Sequence, residues 1–258
     1  MANVVISDSH LSNIALAIRY KLDSEATYKP REMAAAIRSI PVATTVVQGD
    51  VNAFIDKSFQ GAVTLNCKTI GEYALYYMNG ITSINSNTVE TVKERGIYQC
   101  NNLTSINLQK VKTLEPAAIT ACFNVDSISL PSLEVTNSLS ISGLFGVKTL
   151  QFQVLKYIST GSFESLPELT KADLGGSVEE LEYMCFASCD KLTAIVLRCD
   201  TPTLVDLDGP FPDNFRTDYT GRLPMGYVYV PSAYIQNYQN KKYWNIYNFR
   251  AIEDYPGI

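Results

Sequence analysis

One histidine, His10, stands in this 258-residue chain, and that alone narrows its chemistry. A triad or metal centre built on imidazole would have to draw on it, far from the rest of the pattern. Two carboxylates facing one substrate can do acid–base work, and Glu179 with Glu180 and Asp206 with Asp208 have the spacing. Both sets also read as solvated loop, which is the expectation adopted. Asp206-Leu-Asp208-Gly209 opens like a calcium loop but lacks the remaining ligands and closing Glu of an EF-hand. The glycine patterns that cradle phosphate are absent. The expectation is therefore no enzyme, no catalytic residue, no cofactor and no metal.

Six cysteines could suggest disulfides or a metal. Cys100, Cys122 and Cys189, however, recur at one position with Met78, Leu144 and Leu166. A position that takes Met, Leu or Cys is an inward apolar slot, where free Cys acts as a small hydrophobe. Cys185 shares a small-residue position with Ala74, Gly96, Ala118, Ser140 and Ser162, while Cys67 and Cys199 lie at the edges of the array. Reduced thiols are expected.

These positions belong to a larger repetition. Ile84, Ile106, Ile128, Leu150, Ala172 and Ile195 recur at a step of about 22 residues, lengthened once by a residue near Gly175 to Ser177. With them march Ile70, Val92, Leu114, Thr136, Ile158 and Leu181, then Leu75, Ile97, Ile119, Ile141, Phe163 and Phe186. Ile81, Leu103, Val125, Val147, Leu169 and Leu192 form a further column, as do Val89, Val111, Leu133, Leu155 and Val178. A fixed period in the twenties implies a solenoid, because no unit buries its own apolar face. Each unit ends in a strand-like motif such as Leu103 to Leu108, with Ser105 and Asn107 pointing out while Ile106 and Leu108 point in. Stacking then makes two outward rows: Ser83, Ser105, Ser127, Thr149, Lys171, Ala194, and Asn85, Asn107, Ser129, Gln151, Asp173, Val196.

Four segments follow. Residues 1–42 read as a helical N-terminal attachment segment, with helical spacing at Leu11, Ile14, Ala15, Ile18 and Leu22 and a second helix from Lys29 to Ile40 opened by Pro30. Residues 43–66 read as an N-terminal cap or degenerate repeat, residues 67–198 as six leucine-rich repeats, and residues 199–258 as a C-terminal cap. In the cap, Tyr227 to Val230 alternates as a strand, Pro231 opens a helix, and Trp244 brings an aromatic plug. The expected fold is a β-rich α+β solenoid with a helical N-terminal segment and a strand-helix cap. Net charge −5 gives nucleic acid no electrostatic support, and no apolar run is long enough to span a membrane. The opening MANVVISDSH lacks the features of a signal peptide, so synthesis in a cytoplasm is expected.

Ile70-Gly-Glu-Tyr-Ala-Leu75 followed by Ile81-Thr-Ser-Ile84 resembles the bacterial surface-antigen type of leucine-rich repeat. Tyr229-Val-Pro-Ser-Ala-Tyr234, Tyr243-Trp-Asn-Ile-Tyr247 and Arg250-Ala-Ile252 resemble the cap that follows such repeats. The lead-in, Ile14-Ala-Leu-Ala-Ile-Arg19, Tyr28-Lys-Pro-Arg-Glu-Met33 and Ala36-Ile-Arg-Ser-Ile40, is similar to N-terminal segments of tailed-bacteriophage virion proteins, tail or head fibres. The departures are polar Thr136 opening repeat four and small Ala172 in repeat five.

The binding candidates are Tyr76, Tyr77, Tyr98, Phe123 and Phe145, which fall on the turns of successive repeats and could form an exposed strip for sugar rings or a protein partner. The polar rows could suit glycans or a flat protein surface. The first functional expectation is a non-enzymatic phage virion protein, made in the host cytoplasm. Residues 1–42 would dock on other virion proteins, and the body would meet a host-surface glycan or protein, as a homo-oligomer. The alternatives are a bacterial surface or secreted adhesin, located at the cell surface, and a glycan-degrading enzyme on a repeat scaffold.

Overall fold

A computed structural model describes residues 4–5, 46–47, 57, 59–205, 209–217 and 226–255. The expected helices of residues 1–42 lie outside the described residues, apart from a two-residue strand, Val4–Val5, paired antiparallel with Val46–Val47.

The 22-residue step sets every rung in the same register on the one before, so column mates become strand neighbours. Three parallel ladders result. The first runs through Thr69–Ile70, Thr91–Val92, Thr113–Leu114, Val135–Thr136, Tyr157–Ile158, Glu180–Leu181 and Thr203–Leu204. The second runs through Leu75–Tyr76, Ile97–Tyr98, Ile119–Thr120, Ile141–Ser142 and Phe163–Glu164. The third face has two pieces. Gly61–Thr64, Ile81–Ser86, Ser105–Leu108 and Ser127–Ser129 make one, and Thr149–Gln151, Lys171–Asp173, Ala194–Val196, Tyr227–Val230 and Phe249–Ala251 make the other. Within a piece the columns align one to one, Ile84 with Ile106 and Ile128, Leu150 with Ala172 and Ile195. The extra residue is absorbed at Gly175 and Gly176, between the third ladder and the next strand of the first, where Gly175 takes φ +80°.

Two corners per rung turn the chain, and both use left-handed backbone. Tyr73, Arg95, Ala117, Leu139, Gly161 and Met184 make one column of positive φ, and Tyr77, Gln99, Ala121, Gly143, Ser165 and Ser188 the other. They bracket the second-ladder strands, so each two-residue strand sits between two sharp bends. Only two of these twelve corners are glycine. The remaining ten hold a conformation that costs an L residue roughly 1–2 kcal/mol, which the stacked rungs must enforce.

The inward columns bury as one continuous core from Phe59 to Tyr247. Phe59, Val63 and Leu65 are part of it, Val63 in the strand Gly61–Thr64 that pairs with Ile81–Ser86 and the other two flanking that strand. Thr136 is fully buried, and its hydroxyl meets that of Ser162 at 2.9 Å, so one polar column member is matched by another 26 residues on. Ala172 is also buried. In the same core Phe152, Phe163 and Phe186 stack at 5.3 and 5.1 Å.

Two expectations need correction. The motifs expected as six-residue strands are shorter, Lys171–Asp173 and Ala194–Val196 for example. Their first two residues close a turn, as when the Leu103 N–H donates to the Cys100 carbonyl at 3.1 Å. Ile128, expected in the deep core, is only half-buried, because the third ladder breaks beside it.

At the C-terminal end, Tyr227–Val230 and Phe249–Ala251 extend the third ladder, and a 3-10 turn, Ser232–Tyr234, leads into the α-helix Ile235–Asn240. Trp244 is buried against Tyr238 and Phe211, and its Nε1–H donates to the Pro202 carbonyl at 2.9 Å.

Candidate functional site

The five aromatic candidates occupy three columns. Tyr76 and Tyr98 are the second residues of paired two-residue strands, so alternation buries Leu75 and Ile97 and turns the tyrosines outward. One rung of spacing stacks their rings, 5.2 Å apart and 5° from parallel. Tyr77, on a left-handed corner, sets its edge against Tyr76 at 4.3 Å and Tyr98 at 6.3 Å. Tyr73, which was not among the candidates, joins this group at 5.6 Å from Tyr76. Its place three residues before Tyr76, on the companion corner, was the signal for it.

The tyrosine group carries its own cations. Lys57 Nζ lies 5.3 and 5.6 Å from the ring centres of Tyr76 and Tyr77, and the Arg95 guanidinium 5.6 and 5.9 Å from those of Tyr73 and Tyr98. Arg95 also donates to the Tyr73 hydroxyl at 2.6 Å, which holds the guanidinium proton more tightly than usual. Loss of solvation, with the Tyr77 hydroxyl next to it, pushes the Tyr76 phenol up.

Phe123 and Phe145 sit two residues past the corners Ala121 and Gly143, in the column that begins Asn79, Asn101. The column changes character halfway. Asn79 accepts the backbone N–H of Asn101 at 3.0 Å, whereas the two phenylalanines pair at 4.8 Å with 42% and 45% of their surface exposed. The expected strip is therefore a tyrosine group over the first rungs and a phenylalanine pair over the next, on neighbouring columns. Exposed Leu139 and Met184 add apolar surface on the Tyr73 corner column, across the second ladder from the ridge of Phe123 and Phe145.

The outward rows of the third face divide along the axis. Over the early rungs they are polar and bond to one another, Asn85 to Ser83 at 3.4 Å, and Gln109 both to Asn107 and to Ser129. Over the late rungs Asp173, Ala194 and Val196 are buried, which corrects the expectation that these rows face solvent throughout. Tyr229 and Ile252 lie against Ala194 and Val196 in a small second core, with Tyr227 and Tyr255 at its rim. Asp173 keeps its charge company through Arg198 at 2.7 Å, and Lys171 reaches over the Tyr255 ring at 4.4 Å.

Between these halves the ladder opens. Ser127–Ser129 pairs only backward and Thr149–Gln151 only forward, leaving a cleft of about 260 Å³ lined by Ile128, Ser129, Pro131, Thr149, Gln151 and Gln153. Pro131 has no N–H, whereas its column mate Gln109 donates to Ser86 in the rung before at 2.9 Å.

A charge ladder was also missed. Lys68, Glu90, Lys112, Glu134, Lys156 and Glu179 alternate in sign down one column. Lys68 pairs with Glu90 and holds its carboxyl below the usual range, and Glu134 takes Lys156 at 3.2 Å and Lys112 at 3.7 Å. Period-22 alternation of sign was the available signal. Glu179 accepts the Tyr157 hydroxyl at 2.7 Å, so that carboxylate is tied to the ladder's edge, and Asp206 and Asp208 lie outside the described residues.

None of the six cysteines forms a disulfide, and five of them are buried. Burial raises the Cys189 thiol to about 12, and its S–H donates to the Phe163 carbonyl at 3.1 Å. Among the described residues no His, Cys, Asp or Glu side chains gather in threes, and no helix is long and apolar enough to cross a membrane.

Residues 50–152 and 140–204 match the family described as BspA type leucine rich repeat region, in six copies. Among solved structures, the pneumococcal vaccine antigen PcpA is similar at 17% identity over 75% of this chain and 40% of its own, with a TM-score of 0.46. The chain thus spans well under half of that protein. A leucine-rich repeat protein from Bacteroides ovatus ATCC 8483 is similar at 12% identity over 80% of this chain and 94% of its own, with a TM-score of 0.24. A leucine rich cell surface protein from Faecalibacterium prausnitzii A2-165 is similar at 11% over 89% and 95%, with a TM-score of 0.23. No curated protein matches the sequence.

Proposed function

The chain belongs to the BspA-type leucine-rich-repeat family, and from that premise we propose that it is a non-enzymatic bacterial surface or secreted protein that binds a partner through its corner ridge. Phe123 and Phe145 support this most directly. Two large rings on adjacent rungs are held in contact with each other and left nearly half exposed, on a solenoid that has ample apolar columns in which to bury them. Rigid aromatic anchors of this kind concentrate binding energy at protein interfaces. Tyr77 is exposed on the neighbouring corner column, and Leu139 on the companion column across the second ladder.

The virion role rested on the resemblance of residues 1–42, on an opening without signal-peptide features and on the low share of charged residues. The family match covers the repeats and not that lead-in, so the surface reading takes its place.

Antibody against the full chain should find it in the cell envelope or medium of the source bacterium. Purified labelled protein should bind cells saturably. The double substitution Phe123→Ser and Phe145→Ser should weaken that binding by about tenfold or more at an unchanged melting temperature. A purely cytoplasmic location, or equal binding by the variant, would refute the reading. If the variant instead loses only self-association in sedimentation, the ridge joins copies of the chain.

A further inference from the structure

The cleft at the break of the third ladder belongs to neither the apolar core nor the aromatic ridge. Its far lip is a row of three side chains, Thr149, Gln151 and Gln153, all exposed and without a hydrogen-bond partner among the described residues. Thr149 and Gln151, two apart on the strand Thr149–Gln151, share a face at a spacing of about 6.6 Å, and Gln153 follows in the bend beyond it. The near lip is Ser129, oriented by Gln109, and the apolar contribution comes from Ile128 and Pro131. Over the early rungs Asn85 bonds to Ser83, and Gln109 ties Asn107 to Ser129. Here the far-lip side chains stand open around a concave space.

The lining excludes several occupants. It holds no charged group, so a phosphate, a carboxylate or a metal ion would lose its hydration with nothing to replace it. An inserted peptide strand is excluded by the other two ladders. Leu114, Thr136 and Ile158 stay paired across the same rungs, as do Ile119, Ile141 and Phe163. The rungs are thereby kept about one strand spacing, roughly 4.8 Å, apart, which leaves no room for another strand between them. The volume lies below the range of about 300–1,000 Å³ that takes larger organic ligands.

The remaining fit is a small, neutral ligand dense in hydroxyls. Each glutamine amide offers both a donor and an acceptor to adjacent hydroxyl groups, Thr149 and Ser129 offer either, and the Ile128 and Pro131 surfaces suit the C–H face of a sugar ring. We propose that this break is a subsite for one neutral pyranose, either free or at the end of a neutral oligosaccharide. The proposal does not depend on the ridge or on surface location.

The test uses the full chain and ligand-observed saturation-transfer NMR, followed by calorimetry. The probes are methyl glycosides of glucose, galactose, mannose and N-acetylglucosamine, with sialic acid and glucose 6-phosphate as charged comparisons. At least one neutral glycoside should bind with a Kd in the millimolar range or tighter, at about −4 kcal/mol. The double substitution Gln151→Ala and Gln153→Ala should weaken it about tenfold, as loss of two modest hydrogen bonds predicts. The melting temperature should not move, since both side chains are exposed. Thr149→Val is the milder companion and should give a smaller loss of the same sign. Phe123→Ser with Phe145→Ser should leave sugar binding intact, which separates this proposal from the ridge. Absence of transfer to every neutral sugar at about 20 mM would overturn the proposal, because such affinity lies below any built site. Preference for the charged probes, or equal binding by the glutamine variant, would overturn it as well.

Discussion

The early and late rungs of the third face repeat one pattern in one register, yet Asn107 faces outward among polar neighbours while its column mate Val196 is sealed beneath the C-terminal cap. The early half shows what the repeat does alone, with apolar residues turned in and short polar ones turned out to bond with each other. In the late half the chain returns, and Tyr229, Ile252 and Tyr255 cover the rows. The outward column then becomes Ala194 and Val196, and the buried carboxylate of Asp173 needs Arg198. The cleft falls where one regime passes to the other. An outward row thus reports what lies on top of it, whereas an inward row reports only the rung itself.

The largest expected effect tests how local the break is. Ile106→Asn buries an unpaired amide between two intact rungs and should cost about 4 kcal/mol, read as a shifted denaturant midpoint. Ile128→Asn, half-buried at the opening, should cost about half as much. Equal losses would mean that the third face is continuous in solution. Next, Tyr229→Ala should lose about 3 kcal/mol by uncovering the late rows, while Asn107→Ala on the early half should lose less than about 0.5 kcal/mol. A cap that can be stripped without loss would erase the contrast. The smallest effect concerns the charge ladder. Lys112→Glu sets Glu90, the new acid and Glu134 in a row and should cost about 0.5 kcal/mol, shrinking in high salt, because Lys112 is well exposed and the two glutamates partly so.

Much of this architecture was legible in the period. The inward columns, the cysteine slot and the small-residue column of Gly96 follow from residue type and spacing. A Cβ at Gly96 would come within 2.9 Å of Val92 and 3.1 Å of the Gly71 carbonyl, which is why that column stays small. Tyr76, Tyr77, Tyr98, Phe123 and Phe145 were legible as outward aromatics, but Tyr76 and Tyr98 lie on two-residue strands and not on turns, and the division into a cation-capped stack and a bare pair was not legible. It depends on Lys57 and Arg95 reaching across rungs. The left-handed corners were hidden because Tyr73, Arg95 and Leu139 are poor advertisements for positive φ, a conformation they take only when the stacked rungs hold it.

By itself the sequence determined the rung. A 22-residue step of apolar positions can be buried only by rungs laid in register, and the family match follows from the same residues. Tertiary structure alone decided where the third ladder opens, which outward rows are covered, and which side chains 26 to 84 residues apart come into contact. Lys171 meets Tyr255, and Thr136 meets Ser162. Burial periodicity is set by near neighbours, whereas these contacts depend on strand spacing and on the path of the returning chain.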